Sequence, residues 1–355
     1  MHENRRSSRI ARLLAPIAAL LAVLLAASSV AAALPGFAWP VQSLGNRGAD
    51  VKAIQVLLLG HGIRVIYDGR FSTDTRAGVQ TFQGARGLPR TGIVDAATWA
   101  RLVVRVGPGS PRYPVLALQR QLNEKRAAGL TVSGTYDAAT AAAVRAFERH
   151  VGLSVDGIAD TTMWRYLVAH FDRPSFARGL CDYSVGNGAA NWGTGAAIGQ
   201  TEAAGGTMLA AGYGSLPVGD LGFEHGGDIA GHSTHEVGLD ADLRPMRDNR
   251  DQCAWGTNYR LASYNRTATR ALIRAIRSTA PGHVNLIYFN DPVLIGEGLA
   301  TWYSGHDDHL HVRYCEAGHP LSAYRCAPTA QAQGSVSDST VSATNSPGSG
   351  PPSIE

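Results

Sequence analysis

The feature that most constrains the fold is a repeat. From Val51 the chain reads VKAIQVLLLGHGIRVIYDGRFSTDTRAGVQTFQGARGLPRTGIVDAATWARL, and from Val115 the same skeleton returns as VLALQRQLNEKRAAGLTVSGTYDAATAAAVRAFERHVGLSVDGIADTTMWRYL. Gln55 aligns with Gln119, Gly69 with Gly134, Phe71 with Tyr136, Thr75 with Thr140, Phe82 with Phe147, and Trp99 with Trp164, and the register slips by one residue. Repetition of this kind restricts the segment to two copies of one small unit. Apolar residues at helical spacing (Val51, Ile54, Leu57 and Leu58; Val79 and Phe82; Trp99 and Leu102) mark three short helices in each copy. Thr75 and Thr140 sit where helices start, and Asp-Gly or Ser-Gly pairs mark the turns. We therefore expect two all-α three-helix modules, at residues 39–104 and 105–171.

Ahead of them, Arg5, Arg6, Arg9 and Arg12 precede the apolar run IAALLAVLLAA, which ends in the small-residue stretch SSVAAA. This reads as a signal peptide over 1–33, with a mature start at Leu34. The rival reading is an uncleaved anchor, for which Pro16 and the serines leave the run short. Removing the four arginines and Glu3 takes a net +3 from the formal +4 and leaves +1, which is not the balance of a nucleic-acid binder. After signal cleavage no stable membrane insertion is expected, and no motif bears on oligomeric state. An exported chain with four cysteines, Cys181, Cys253, Cys315 and Cys326, is expected to form two disulfides. Three connectivities are open, and the near neighbours Cys315 and Cys326 suggest one bridge.

From 172 to 326 the texture changes to glycine-rich loops, short strands and one amphipathic helix, RTATRALIRAIRS at 266–278. VNLIYFN, at 284–290, reads as a buried strand. We expect an α+β domain with a small antiparallel sheet here. Residues 327–355 offer almost nothing to bury and read as a disordered tail.

The chemistry-bearing residues fall in two motifs of this third domain. The first, GHSTHEVGLDADL at 231–243, holds His232, His235, Asp240 and Asp242. Strand alternation puts Asp240 and Asp242 on one face and Leu239, Ala241 and Leu243 on the other, while a bend at Gly238 brings His235 round to Asp242. The second, GHDDHLHVRYC at 305–315, sets His309, His311 and Arg313 on one face against Leu310 and Val312, with His306 in the approach loop. Paired in one sheet, the two strands would bring His235, Asp242 and His311 together. Two imidazoles and one carboxylate form a zinc (Zn2+) set that leaves an open, catalytic position. His235-Glu236 is followed by Val-Gly-Leu, so the pattern is not HExxH. A closed structural zinc, with His232, His306 or His309 as fourth ligand, is the rival reading of this cluster. Asp240 has three open roles: substrate binding, orienting His235, or capping a loop. His61, His150, His170, His283 and His319 belong to no such pattern and read as satisfied or surface residues.

Two resemblances attach to these residues. Each repeat resembles the peptidoglycan-binding domain of secreted bacterial wall enzymes, which implies peptidoglycan as partner; the first copy keeps Asp68-Gly69 where the second has Ser133-Gly134. The two histidine motifs resemble those of penicillin-insensitive murein endopeptidases, in the wider group of lysostaphin-type enzymes and D-Ala-D-Ala carboxypeptidases. That resemblance implies His235, Asp242 and His311 as zinc ligands and His309 as the catalytic histidine, with His306 and His232 as further active-site residues. It implies a secreted or periplasmic, cell-wall-associated zinc metallopeptidase that hydrolyses the D-alanine to diaminopimelate cross-link. The alternatives are a D-Ala-D-Ala carboxypeptidase, for which Arg313 is a candidate carboxylate clamp, and a non-catalytic wall-binding adaptor.

Overall fold

The structure, a computed structural model, describes residues 37–327 apart from 178 and 185–188. The expected signal segment lies outside the described residues, as does the tail beyond 327. Each repeat folds as three helices: α1 (Ala49–Gly60), α2 (Thr73–Ala85) and α3 (Ala96–Leu102), then α4 (Arg112–Arg126), α5 (Ala138–His150) and α6 (Thr161–Ala169). Side-chain caps start four of them: Ser72, Asp95, Asp137 and Asp160 each accept from a backbone N–H three residues on.

The residues that recur between the copies build one buried network twice. Gln55 Nε2 donates to Thr75 Oγ1 at 3.1 Å while its Oε1 accepts from Gly69 N at 2.9 Å. Gln119 makes the same pair with Thr140 Oγ1 at 3.0 Å and Gly134 N at 2.9 Å. Both glycines have positive φ, 70° and 76°, which a side chain would strain. The two tryptophans likewise donate to backbone carbonyls, Trp99 to Pro40 and Trp164 to Val104. The recurring residues thus satisfy buried polar groups, which explains their identity without a ligand. α1 packs along α4, and the two copies share one core containing Ile54, Leu57, Phe82, Leu118, Phe147 and Trp164.

Beyond the repeats lies a five-stranded sheet of order β1-β2-β3-β5-β4, with β1 (Leu180–Asp182), β2 (Leu216–Val218), β3 (Asp240–Leu243), β4 (Val284–Tyr288) and β5 (Leu310–Tyr314). The sheet is mixed: β1 and β2 run parallel at one edge, and every other pair is antiparallel as expected. The parallel pair arises because α7 (Gly195–Ala210) separates β1 from β2, a crossover that a hairpin turn cannot make. α7 and α8 (Arg266–Thr279) pack together, and residues of both share a core with Leu239, Ala241, Leu243, Leu310 and Val312. A short helix, α9 (Pro292–Gly296), follows β4. Disulfides join Cys181 to Cys253 and Cys315 to Cys326. Among the described residues no helix is long and apolar enough to cross a membrane.

Repeats and sheet domain meet over a buried polar interface. Lys125 Nζ lies 3.2 Å from Asp50 Oδ1, with side-chain exposures of 0% and 1%, and donates to the His170 carbonyl at 2.8 Å. α7 starts against this pair with Gly195: a Cβ there would stand 2.6 Å from Asp50 Oδ2 and 2.9 Å from Lys125 Nζ. Gly199, one turn on, leaves no room for a Cβ either, which would lie 2.4 Å from the Gly48 Cα. Arg47 Nε adds a bond to the Thr279 carbonyl at 2.7 Å. Removing one partner of a buried pair strands the other's charge, so Lys125→Ala is expected to destabilise the fold by about 3–5 kcal/mol. Denaturant unfolding of the purified chain measures this, and a loss below about 1 kcal/mol would show that the pair is not held dry.

Candidate metal centre and cleft

β3 and β5 present the two motifs side by side. Their register sets Asp242 opposite His311 and Asp240 opposite Arg313. Since Leu239, Ala241, Leu243, Leu310 and Val312 are held in the core, the intervening residues share the other face. His235 reaches them from a strained backbone at φ 76°, in the left-handed region that non-glycine residues seldom occupy. Asp240 holds it there, its Oδ2 accepting the His235 backbone N–H at 3.0 Å. The bend anticipated at Gly238 (φ 68°) is present, and the second one, at His235 itself, could not be read from spacing.

The tautomers follow from the partners. His235 Nδ1 lies 2.8 Å from the Leu221 carbonyl, which only accepts, so Nδ1 carries the proton and Nε2 keeps a lone pair. His311 Nε2 lies 3.0 Å from Asp240 Oδ1, which leaves Nδ1 facing the same point as His235 Nε2. Three atoms therefore converge: His235 Nε2 to His311 Nδ1 at 3.2 Å, His311 Nδ1 to Asp242 Oδ1 at 3.0 Å, and His235 Nε2 to Asp242 Oδ1 at 3.4 Å. Ligands at about 2.0–2.1 Å from a tetrahedral ion stand about 3.3 Å apart, so the triangle has the dimensions of a metal's coordination face. All three side chains are buried, and the triangle lacks positive charge unless an imidazole or an ion supplies it. In the absence of an ion, burial opposes charging His311, but hydrogen bonds to Asp240 and Asp242 outweigh it and push its imidazole up to about 9, so a proton on Nδ1 stands in for the cation and must leave before His311 can ligate. Burial likewise works against the Asp242 carboxylate, yet the His235 and His311 imidazoles packed against it hold it well below the usual range.

The other expected site residues surround this triangle. His232 has Nε2 3.1 Å from Asp220 Oδ2 and Nδ1 3.9 Å from Asp242 Oδ2; its donor atom, with those of His235 and Asp242, lies within a 4.8 Å group. His309 Nε2 stands 4.0 Å from Asp242 Oδ1, and its Nδ1 is 3.0 Å from Asp308 Oδ1. His306 pairs Nδ1 with the Ser304 carbonyl at 3.0 Å, and its ring centroid is 4.7 Å from that of His309. Of the three roles left open for Asp240, the geometry supports orienting: it accepts from His235 N, His311 Nε2, Arg313 Nε and the Tyr324 hydroxyl. Arg313 thereby commits its Nε to Asp240 at 2.8 Å and lies over the Tyr324 ring. Tyr324, Asp220 and Asp308 were not singled out by the sequence. Asp308 alone had a sequence signal, as the acid directly before His309.

The triangle opens onto a cavity of about 410 Å³ lined by His232, Asp242, Tyr288, Tyr303, His306 and Arg313 among others. A second cavity of about 360 Å³, lined by Tyr183, Arg244, Asn258 and Leu261, meets it at His309. His309 therefore stands between two recesses rather than at the end of one.

The chain thus combines two helical modules with a mixed-sheet domain that carries a His/Asp candidate metal centre in a cleft. Residues 47–102 and 112–167 each match the model of the putative peptidoglycan binding domain. The chain is also 36% identical over 95 residues to the zinc D-Ala-D-Ala carboxypeptidase of Streptomyces albus G, which is 25% of this chain and 37% of that protein. It spans little more than a third of the length of the curated relative it matches.

Proposed function

We propose that this protein is an exported, zinc-dependent peptidoglycan peptidase that cuts the cross-link between D-alanine and diaminopimelate. The observation that carries the reading is the triangle of lone-pair donors on His235, Asp242 and His311, which would hold zinc with a side open to the cleft. The chemistry zinc supplies when bound is Lewis acidity toward the scissile carbonyl and a lowered pKa for water. The protein's own residues do the rest. Asp240 and the Leu221 carbonyl fix the orientation of the two imidazoles, so entry of the ion would call for loss of the His311 Nδ1 proton rather than movement of the rings. His309, oriented through Nδ1 by Asp308, presents Nε2 where a proton must be moved or an oxyanion held. His306 and His232 line the same cavity and bind or orient substrate.

Two recesses meeting at His309 support an endopeptidase, because a cross-link cutter must admit peptide on both sides of the scissile bond. The repeats support peptidoglycan as the partner and raise the local substrate concentration, and the two disulfides suit an exported enzyme. The similarity to a zinc D-Ala-D-Ala carboxypeptidase favours a second reading, in which terminal D-alanine is the leaving group. Against it, the candidate carboxylate clamp Arg313 is already engaged by Asp240. Incubating the enzyme with cross-linked muropeptide dimers and with uncross-linked pentapeptides decides between them by mass analysis. Conversion of dimers to monomers is expected; release of D-alanine from pentapeptides with dimers intact would assign the carboxypeptidase.

A further inference from the structure

We propose a second zinc-class metal site, built from His150, His170, Glu224 and His225, that staples the second repeat to the loop carrying His235. His150 and His170 belong to no spaced motif in the sequence, yet the fold brings both to one point. His150 ends α5 and His170 follows α6, whereas Glu224 and His225 belong to the loop after β2. His150 Nε2 lies 3.1 Å from Glu224 Oε1, His170 Nε2 lies 3.4 Å from the same oxygen, and the two Nε2 atoms are 3.4 Å apart. These edges match those of the His235–Asp242–His311 triangle and the roughly 3.3 Å expected around a tetrahedral ion. His225 brings a fourth donor, and one donor atom from each of the four residues falls within a 4.8 Å group. Three imidazoles and a carboxylate fill a tetrahedral set, which leaves no open position and marks a structural rather than catalytic ion.

The orientation of His170 repeats that of His235. Its Nδ1 is 2.7 Å from the Phe171 carbonyl and so carries the proton, which turns the Nε2 lone pair toward Glu224 and His150. Two lone-pair acceptors facing each other repel unless a proton or cation lies between them. One cation is already near: Arg126 Nη1 donates to Glu224 Oε1 and stands 3.4 Å from His170 Nε2. A metal must displace that bond, and the Arg126 side chain, 26% exposed, has solvent to turn into. Among the described residues the remaining donor group outside the cleft, His283 with Cys315 and Cys326, is excluded because its sulfurs are joined in a disulfide.

Such an ion would act on the active-site loop. Leu221, whose carbonyl fixes His235, lies three residues before Glu224, and Asp220, the partner of His232, four residues before. Fastening Glu224 and His225 to the second repeat would couple the wall-binding module to that loop without touching substrate.

The test is metal counting by native mass spectrometry on the mature chain, stripped with chelator, reloaded with zinc alone and desalted. Two ions per chain are expected for wild type and for Arg126→Gln, and one for His150→Gln and for Glu224→Gln. A folded His150→Gln variant with the wild-type count overturns the proposal, as does an ion gained only when Arg126 is removed. This outcome is separable from failure of the peptidase reading. A single wild-type ion lost in His311→Ala leaves that reading and removes the staple; a single ion lost in His150→Gln does the reverse. A second readout needs no activity: zinc should raise the melting temperature of His311→Ala and leave that of the His150→Gln, His311→Ala double variant unmoved. Equal shifts in both would also count against the site.

Discussion

His311→Ala is expected to leave the cleft without tightly held zinc and to reduce hydrolysis to assay background, while His232→Ala keeps its ion. The contrast tests which histidine completes the set, since both lie near Asp242. His311 Nδ1 is 3.0 Å from Asp242 Oδ1 and 3.2 Å from His235 Nε2, whereas the nearest His232 nitrogen to Asp242 stands at 3.9 Å. His232 is also engaged by Asp220 and sits partly exposed at the rim. Removing His311 further leaves two buried carboxylates, Asp240 and Asp242, without the imidazole that now bonds to both. Some loss of stability is therefore expected beside the loss of metal, so circular dichroism must accompany metal analysis. Zinc held at the full wild-type count by a folded His311→Ala variant, or any tightly held zinc in the His150→Gln, His311→Ala double variant, would take His311 out of the ligand set and make His232 its replacement.

The convergence of His235, Asp242 and His311 was legible because alternation does most of the work. Once Leu239, Ala241 and Leu243, then Leu310 and Val312, are assigned to the core, the pleat leaves Asp240, Asp242, His311 and Arg313 no other face. Pairing of the two strands then sets Asp242 beside His311. What spacing could not supply were the partners from elsewhere: the Leu221 carbonyl, the Tyr324 hydroxyl and the Asp220 carboxylate come from segments with no periodic relation to either motif. The docking of repeats on α7 was hidden for a different reason. It depends on Gly48, Gly195 and Gly199, where the absence of a side chain permits the approach, and glycines in a glycine-rich region carry little distinguishing pattern. The His150–His170–Glu224–His225 group is invisible in the same way, because its members come from two separately patterned domains and meet only through that docking.

His309→Ala should keep its zinc and lose hydrolysis by about 10² or more, the scale of a positioned acid–base group. Its Nε2 lies 4.0 Å from Asp242 Oδ1, which is outside the 3.0–3.4 Å triangle yet near enough to reach an atom reacting beside it. The imidazole is held from behind by Asp308 at Nδ1 and from the side by the His306 ring, so its orientation is built in before substrate arrives. Because His309 is about a quarter exposed and outside the core, its removal is expected to cost little stability, and the loss should fall on kcat more than on KM. His309→Gln separates two roles for Nε2: a glutamine can donate a hydrogen bond to an oxyanion but cannot carry a proton through the reaction. Partial recovery in His309→Gln would favour oxyanion support, and equal loss in both variants would favour proton transfer. Near-normal turnover by zinc-loaded His309→Ala would exclude both roles and move the search for the proton-handling group to His306, its neighbour on the cavity wall.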